Sequence, residues 1–135
     1  HAAIQSGYQV AYREAQRFFD DIFEATQIKR RNKLLKFFCG ADLLVIDDLF
    51  LQKRLPQTAA EDLLDVILDR YRHRKSTMIT SNRPIEDWGM LLGDNAAASA
   101  ILDRLLHHGH LLKFEGKSYR LKEASKRLAL ERKSN

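Results

Sequence analysis

The segment Leu43-Leu44-Val45-Ile46, preceded by Asp42 and closed by Asp47-Asp48, constrains the fold of this chain more than any other. A strand with one wet face alternates apolar and polar residues. An unbroken apolar run reads instead as a strand buried on both faces of a parallel sheet. Parallel neighbours require crossover connections, so helices should flank the run.

The flanks fit. Upstream, Gly7-Tyr8-Gln9-Val10-Ala11-Tyr12 alternates and is aromatic and β-branched, which predicts a short strand. From Arg13 the period lengthens: Phe18, Phe19, Ile22 and Phe23, then Leu34, Leu35 and Phe38, recur at helical spacing and predict one broken helix or two short ones. Downstream, Thr58 and Glu61 form a capping-box pair opening a helix with Leu64, Ile67, Leu68 and Tyr71 on one side. Its basic end, with Arg70, Arg72, Arg74 and Lys75, suits the negative end of the helix dipole. Thr77-Met78-Ile79-Thr80 predicts another strand, stopped by Ser81-Asn82-Arg83-Pro84. Ile85–Leu92 and Ala96–His108 read as two helices around Gly93-Asp94-Asn95, and His110–Phe114 as a last strand. Such alternation predicts an α/β protein whose parallel sheet is covered by helices.

Length and charge narrow the class. A single domain of 135 residues can bury a substantial core, and 44% hydrophobic residues with two prolines and six glycines exclude a disordered or fibrous chain. No apolar run reaches membrane-spanning length and no secretion signal is expected. The single Cys39 cannot form an intrachain disulfide, and these features predict a cytoplasmic protein with no membrane partner. Opening on His1 rather than Met predicts a fragment. Through Leu112 the chain balances 15 Lys and Arg against 15 Asp and Glu, whereas residues 113–135 carry eight against three. A basic tail on a neutral body points to a polyanion partner, nucleic acid ahead of membrane.

An apolar strand ending in two acids is the Walker B arrangement. The strand holds the first carboxylate, Asp47, beside a Mg²⁺ bound to nucleotide phosphates, and the second, Asp48, orients or deprotonates the attacking water. Acids that simply close a strand and begin a turn give the same pattern. About 30 residues on, the next strand ends in Thr80-Ser81-Asn82, placing an amide at the carboxyl edge where ligands of open α/β sheets bind. Asn82 there can reach a γ-phosphate and the lytic water, the role called sensor 1, or can cap a helix beginning near Ile85.

Asp42-Leu43-Leu44-Val45-Ile46-Asp47-Asp48-Leu49, Thr80-Ser81-Asn82-Arg83-Pro84, Asp87-Trp88, Leu92-Gly93-Asp94, Ile101-Leu102-Asp103-Arg104-Leu105-Leu106-His107-His108-Gly109-His110 and Ser118-Tyr119-Arg120 stand in this order. From about Gly7 to Lys122 the chain thereby resembles the IstB family. The resemblance implies a P-loop NTPase (AAA+) fold, a three-layer sandwich with a parallel sheet, spread over residues 1–122 as a partial domain, with 123–135 as a basic tail. It implies ATP and Mg²⁺ as ligands, Asp47 at the metal, Asp48 where many such enzymes carry a catalytic Glu, Asn82 as sensor 1 and Arg104 as an arginine finger acting on a neighbouring subunit. It further implies ATP hydrolysis, assembly as a homo-oligomer on double-stranded DNA, and assistance to the transposase of an insertion sequence. Helicase loaders of the DnaC kind are close relatives.

One part of that pattern is not in the sequence. The glycine-rich loop that cradles phosphates should precede the Gly7 strand. Gly116-Lys117-Ser118 does not replace it, because Leu111 stands where the first glycine belongs. Without the loop most of the binding energy for a triphosphate is lost. The strand before the loop, which the family places between the Asn82 strand and the last strand, is missing too. Raw sheet edges and poor stability are therefore expected.

Other candidates have plainer readings. Arg104 alone reads as a helix-surface residue paired with Asp103 or Asp94. His107, His108 and His110 surround Gly109 as at a helix end rather than at a metal. Trp88 reads as core before base-stacking platform. Lys29, Arg30 and Arg31, and Lys126 and Arg127 with Arg132 and Lys133, are candidate DNA-phosphate contacts or solvated surface. A phospho-receiver domain fails on the order of its acids. A DnaC-like loader and a non-catalytic remnant stay open as alternatives to the transposition helper.

Overall fold

The computed structural model describes residues 1–51 and 54–114, together with Leu128 and Leu130. In chain order the elements are α1 (Ala2–Gln5), β1 (Val10–Glu14), α2 (Ala15–Gln27), α3 (Arg31–Gly40), β2 (Leu43–Leu49), α4 (Ala59–Arg72), β3 (Ser76–Ser81), a 3₁₀ turn (Ile85–Asp87), α5 (Trp88–Leu92) and α6 (Asn95–His107). The strands form one parallel sheet in the order β1-β2-β3, with Ala11 opposite Leu44 and Leu44 opposite Thr77. The parallel α/β architecture is as expected.

Burial of the apolar run departs from expectation. Ala11, Leu44 and Ile46 face the helices and are buried, while on the opposite face Tyr12 is 51% and Met78 54% exposed, with Val45 only half-buried. Successive right-handed crossovers that step in one direction put every connecting helix on the same side. Of the three-layer sandwich, the described residues therefore build the sheet and one helical layer.

The helices follow their apolar periodicity, with two adjustments. Phe18, Phe19 and Ile22 of α2 are fully buried, and the Phe18 ring lies 4.9 Å from that of Phe38 on α3. Phe23 falls off this stripe and is 48% exposed. The helical segment divides into two because Lys29 adopts a left-handed conformation (φ 59°) and the Arg30 N–H donates to the Ala25 carbonyl at 2.7 Å, a Schellman ending. On α4 the buried stripe is Leu63, Val66, Ile67 and Arg70, displaced from the expected Leu64, Ile67, Leu68 and Tyr71.

The displacement follows from Arg70, which is 1% exposed. Its guanidinium donates to the carbonyls of Phe38 and Ala41, each at 2.7 Å, and of Ser76 at 2.6 Å, and to Thr77 Oγ1 at 2.9 Å. The side chain expected at a helix end in water instead joins the end of α3, the approach to β2 and the start of β3. The capping box is not formed either. Thr58 makes no side-chain cap and donates to Asp62 Oδ2 at 3.0 Å, while Arg31 reaches Asp62 at 3.0 Å and Asp65 at 2.8 Å.

The expected strand over His110–Phe114 is absent: these residues are irregular, with Leu112 73% and Phe114 92% exposed. The outer edge of β3 has no strand beside it among the described residues. A strand with no neighbour leaves its backbone groups unpaired and gains nothing by extending. Gly116-Lys117-Ser118, Lys126, Arg127 and most of the basic tail lie outside the described residues.

Candidate functional site

The carboxyl ends of β2 and β3 bring Asp47, Asp48 and Asn82 to one edge of the sheet. Asp47 projects to the open face and both its oxygens are held: Tyr12 of β1 donates its hydroxyl to Oδ2 at 2.7 Å, and Thr80 of β3 donates to Oδ1. The Thr80 oxygen in turn accepts the Asp48 N–H at 2.9 Å. These bonds, with Thr80 first and Tyr12 second, hold the Asp47 carboxyl below the usual carboxylate range. The Tyr12 hydroxyl is pushed up correspondingly, chiefly by its bond to Asp47.

Just past Asp47 the β2–β3 register shifts between Ile46 and Leu49, where Ser81 Oγ donates to the Leu49 carbonyl at 2.8 Å. Asp48 and Phe50 both sit in the left-handed region, with φ of 58° and 68°. Non-glycine residues adopt that conformation at a cost of about 1 kcal/mol or more each, and such strain gathers at functional sites. The bulge leaves the Asp48 side chain exposed. Phe50 is pinned by Trp88, edge-on at 5.5 Å, and Trp88 is 5% exposed, so it belongs to the core as the plainer reading had it.

Asn82 follows β3 directly and is exposed at the same edge. It does not cap the helix, since the 3₁₀ turn starts behind Pro84. Cys39 lies away from this edge, on α3, where burial pushes its thiol up to about 12.

Arg104 lies elsewhere. It lines a cleft at the start of β3 with Ser76 and Thr77. Six strand residues separate the two ends by about 17 Å. Asp94 caps α6, accepting the Ala97 N–H at 2.9 Å, and Arg104 pairs with neither Asp94 nor Asp103 among the described residues. The Tyr71 hydroxyl and His107 Nδ1 are 2.5 Å apart, tying α4 to the end of α6. Of the basic residues, Lys29 and Arg30 are exposed at the α2–α3 turn, whereas Arg31 is engaged by Asp62 and Asp65. Sequence reasoning missed Tyr12 and Thr80 as holders of Asp47. Their hydroxyls were visible only as strand residues, and nothing but the register brings them to one carboxylate.

A parallel sheet with helical crossovers, carrying its acids at the carboxyl edge, is common to many open α/β folds. Similarity to solved structures makes this one the P-loop NTPase fold of the AAA+ type. A DNA replication initiation factor superposes with a TM-score of 0.69 at 22% identity, over 95% of this chain and 38% of that one. The DnaC helicase loader gives 0.65 at 23% identity, over 84% and 65%. By sequence the chain belongs to the IstB-like ATP binding protein family, whose model matches residues 1–127. It is 36% identical to the insertion sequence IS21 ATP-binding protein of Pseudomonas aeruginosa over 125 residues, 92% of this chain and 46% of that protein. Identity to the IS5376 ATP-binding protein of Geobacillus stearothermophilus is also 36%, over 133 residues, 98% and 51%. The chain thus spans about half the length of these relatives.

Proposed function

We propose that this chain supplies the acid, sensor and finger residues of an ATPase that assembles on DNA and assists the transposase of an insertion sequence. The observation that carries the reading is the doubly held, half-buried Asp47 at the carboxyl edge, beside a strained, exposed Asp48 and next to Asn82. The donor set fits Mg²⁺. A carboxylate has about four acceptor sites, and Tyr12 and Thr80 occupy two of them. One carboxylate with waters and phosphate oxygens is the usual magnesium environment in such sites. When bound, the ion neutralises charge on the phosphates.

In this reading Tyr12 and Thr80 fix the direction of the Asp47 carboxylate, Asp48 orients the attacking water, and Asn82 contacts the γ-phosphate. Arg104, at the far end of β3, cannot serve the Asp47 of its own chain, so it acts on the neighbouring copy of a homo-oligomer. Lys29 and Arg30 contact double-stranded DNA phosphates, joined by Lys126 and Arg127 of the tail. Arg31 orders the α3–α4 contact instead.

The test is binding of fluorescent ATP with Mg²⁺ to this chain and to the chain joined to the segment that precedes the matched region in the Pseudomonas relative. We expect the joined chain to bind the more tightly, by a factor that Asp47→Asn abolishes along with the Mg²⁺ dependence. Equal binding by the joined chain with and without Asp47→Asn would sink the assignment.

A further inference from the structure

A cleft of about 360 Å³ opens between the ends of α4 and α6, lined among others by Tyr71, Arg74, Lys75, Thr77, Arg104 and His108, with no acid in its wall among the described residues. Lys75 shares its charge with Asp42, at 3.4 Å, whereas Arg74 and Arg104 form no ion pair among the described residues. Behind the wall lies a third guanidinium. Arg70 donates to Ser76 and Thr77 of that wall, is 1% exposed, and has only neutral acceptors on its guanidinium among the described residues. Asp42 and Asp69 lie near enough to offset part of its charge, so the guanidinium serves here to fix the Ser76 and Thr77 wall in place.

The backbone carries an independent sign. Helix α4 ends in a Schellman motif: the Lys75 N–H donates to the Arg70 carbonyl at 2.9 Å and the Arg74 N–H to that of Tyr71 at 3.1 Å. The left-handed position of that motif favours glycine; α5 places Gly93 there (φ 70°), and α2 places Lys29 (φ 59°). At α4 the same position is Arg74, with φ 54°. The strained residue is again a cation, and here it lines the cleft. On the opposite wall Gly109 lets the chain pass the end of α6, where a Cβ would meet the Leu105 carbonyl oxygen at 2.0 Å.

We infer that this cleft is a phosphoryl-binding site in which Arg74 and Arg104, the two cations of its wall that form no ion pair among the described residues, act together. The inference extends the proposed role of Arg104 from one guanidinium to a pocket, and it rests on that reading only for the idea that a phosphoryl group reaches this end of the sheet. Two guanidiniums facing one phosphate make charge-assisted bonds in a geometry that a lone surface arginine does not provide.

The test is NMR titration of this chain with pyrophosphate, following backbone amides, without nucleotide hydrolysis. We expect saturable shifts at residues 74–77 and 104–109. Arg74→Gly, which relaxes the backbone while removing the charge, and Arg104→Gln should each weaken binding about tenfold, and Arg74→Lys, which keeps the charge but not the planar fork, should restore only part of it. Asp47→Asn should change nothing here, so failure of the cleft and failure of the nucleotide reading remain separable. ATP and a short DNA duplex in place of pyrophosphate tell the two sources of the phosphoryl group apart, by which of them shifts the same amides with the same sensitivity to Arg74→Gly. Shifts that do not saturate, that survive Arg74→Gly, or that fall only at Lys29 and Arg30 would overturn the inference.

Discussion

The two ends of one short sheet solve opposite problems. At the carboxyl end, Asp47 is half-buried on the open face, held by two hydroxyls, and followed by backbone in the left-handed region at Asp48 and Phe50. At the amino end, Arg70 is sealed from water and satisfied almost wholly by backbone carbonyls. The acidic end is aimed by two hydroxyls and followed by strained backbone, and it keeps acceptor sites open to a ligand. The cationic end is built into the fold, and its loss would loosen α3, β2 and β3 together. A buried charge stabilises only while its partners are complete, whereas one on an open face can be left waiting.

That contrast can be broken at either end. The largest effect should come from Arg70→Met, which keeps volume but orphans the carbonyls of Phe38, Ala41 and Ser76. We expect a loss of about 3–5 kcal/mol in urea denaturation, and a cost under about 1 kcal/mol would show that the guanidinium is not the fastening we describe. Thr80→Val removes the hydroxyl between Asp47 and the Asp48 N–H and should cost roughly 1–2 kcal/mol. Asp48→Gly should go the other way, stabilising by about 1 kcal/mol as the left-handed strain is relieved, while Asp48→Ala should not.

The smallest effect is in pH. The folded state lowers the Asp47 carboxyl, so its contribution is complete above the unfolded value of about 3.9 and is lost as pH falls through the folded one. Stability measured below about pH 4 should therefore decline less steeply in Asp47→Asn than in the parent chain. Equal slopes would mean that Thr80 and Tyr12 do not bias the carboxylate.

The carboxyl end was the more legible of the two. An apolar run closed by acids, followed by a strand ending in Thr80-Ser81-Asn82, states both the parallel sheet and the candidate edge. The open face of β2 was not legible, because Leu43 and Val45 are as apolar as Leu44 and Ile46 and only the side taken by α2 and α4 separates them. Arg70 was misplaced for a related reason. Among Arg72, Arg74 and Lys75 it looks like one more cation at a helix end, and only the carbonyls converging from α3 and β3 reveal that it is core. The His110–Phe114 run kept a strand's composition but had no neighbour to pair with.

The most direct test of the account is paramagnetic line broadening by Mn²⁺, used as a stand-in for Mg²⁺, across the amide spectrum of this chain. Signals of Asp47, Asp48, Thr80, Ser81 and Asn82 should broaden first, those of residues 74–77 only at higher Mn²⁺, and Asp47→Asn should restore them all. Broadening centred on Asp62 and Asp65, or broadening at the sheet edge that is indifferent to Asp47→Asn, would contradict it.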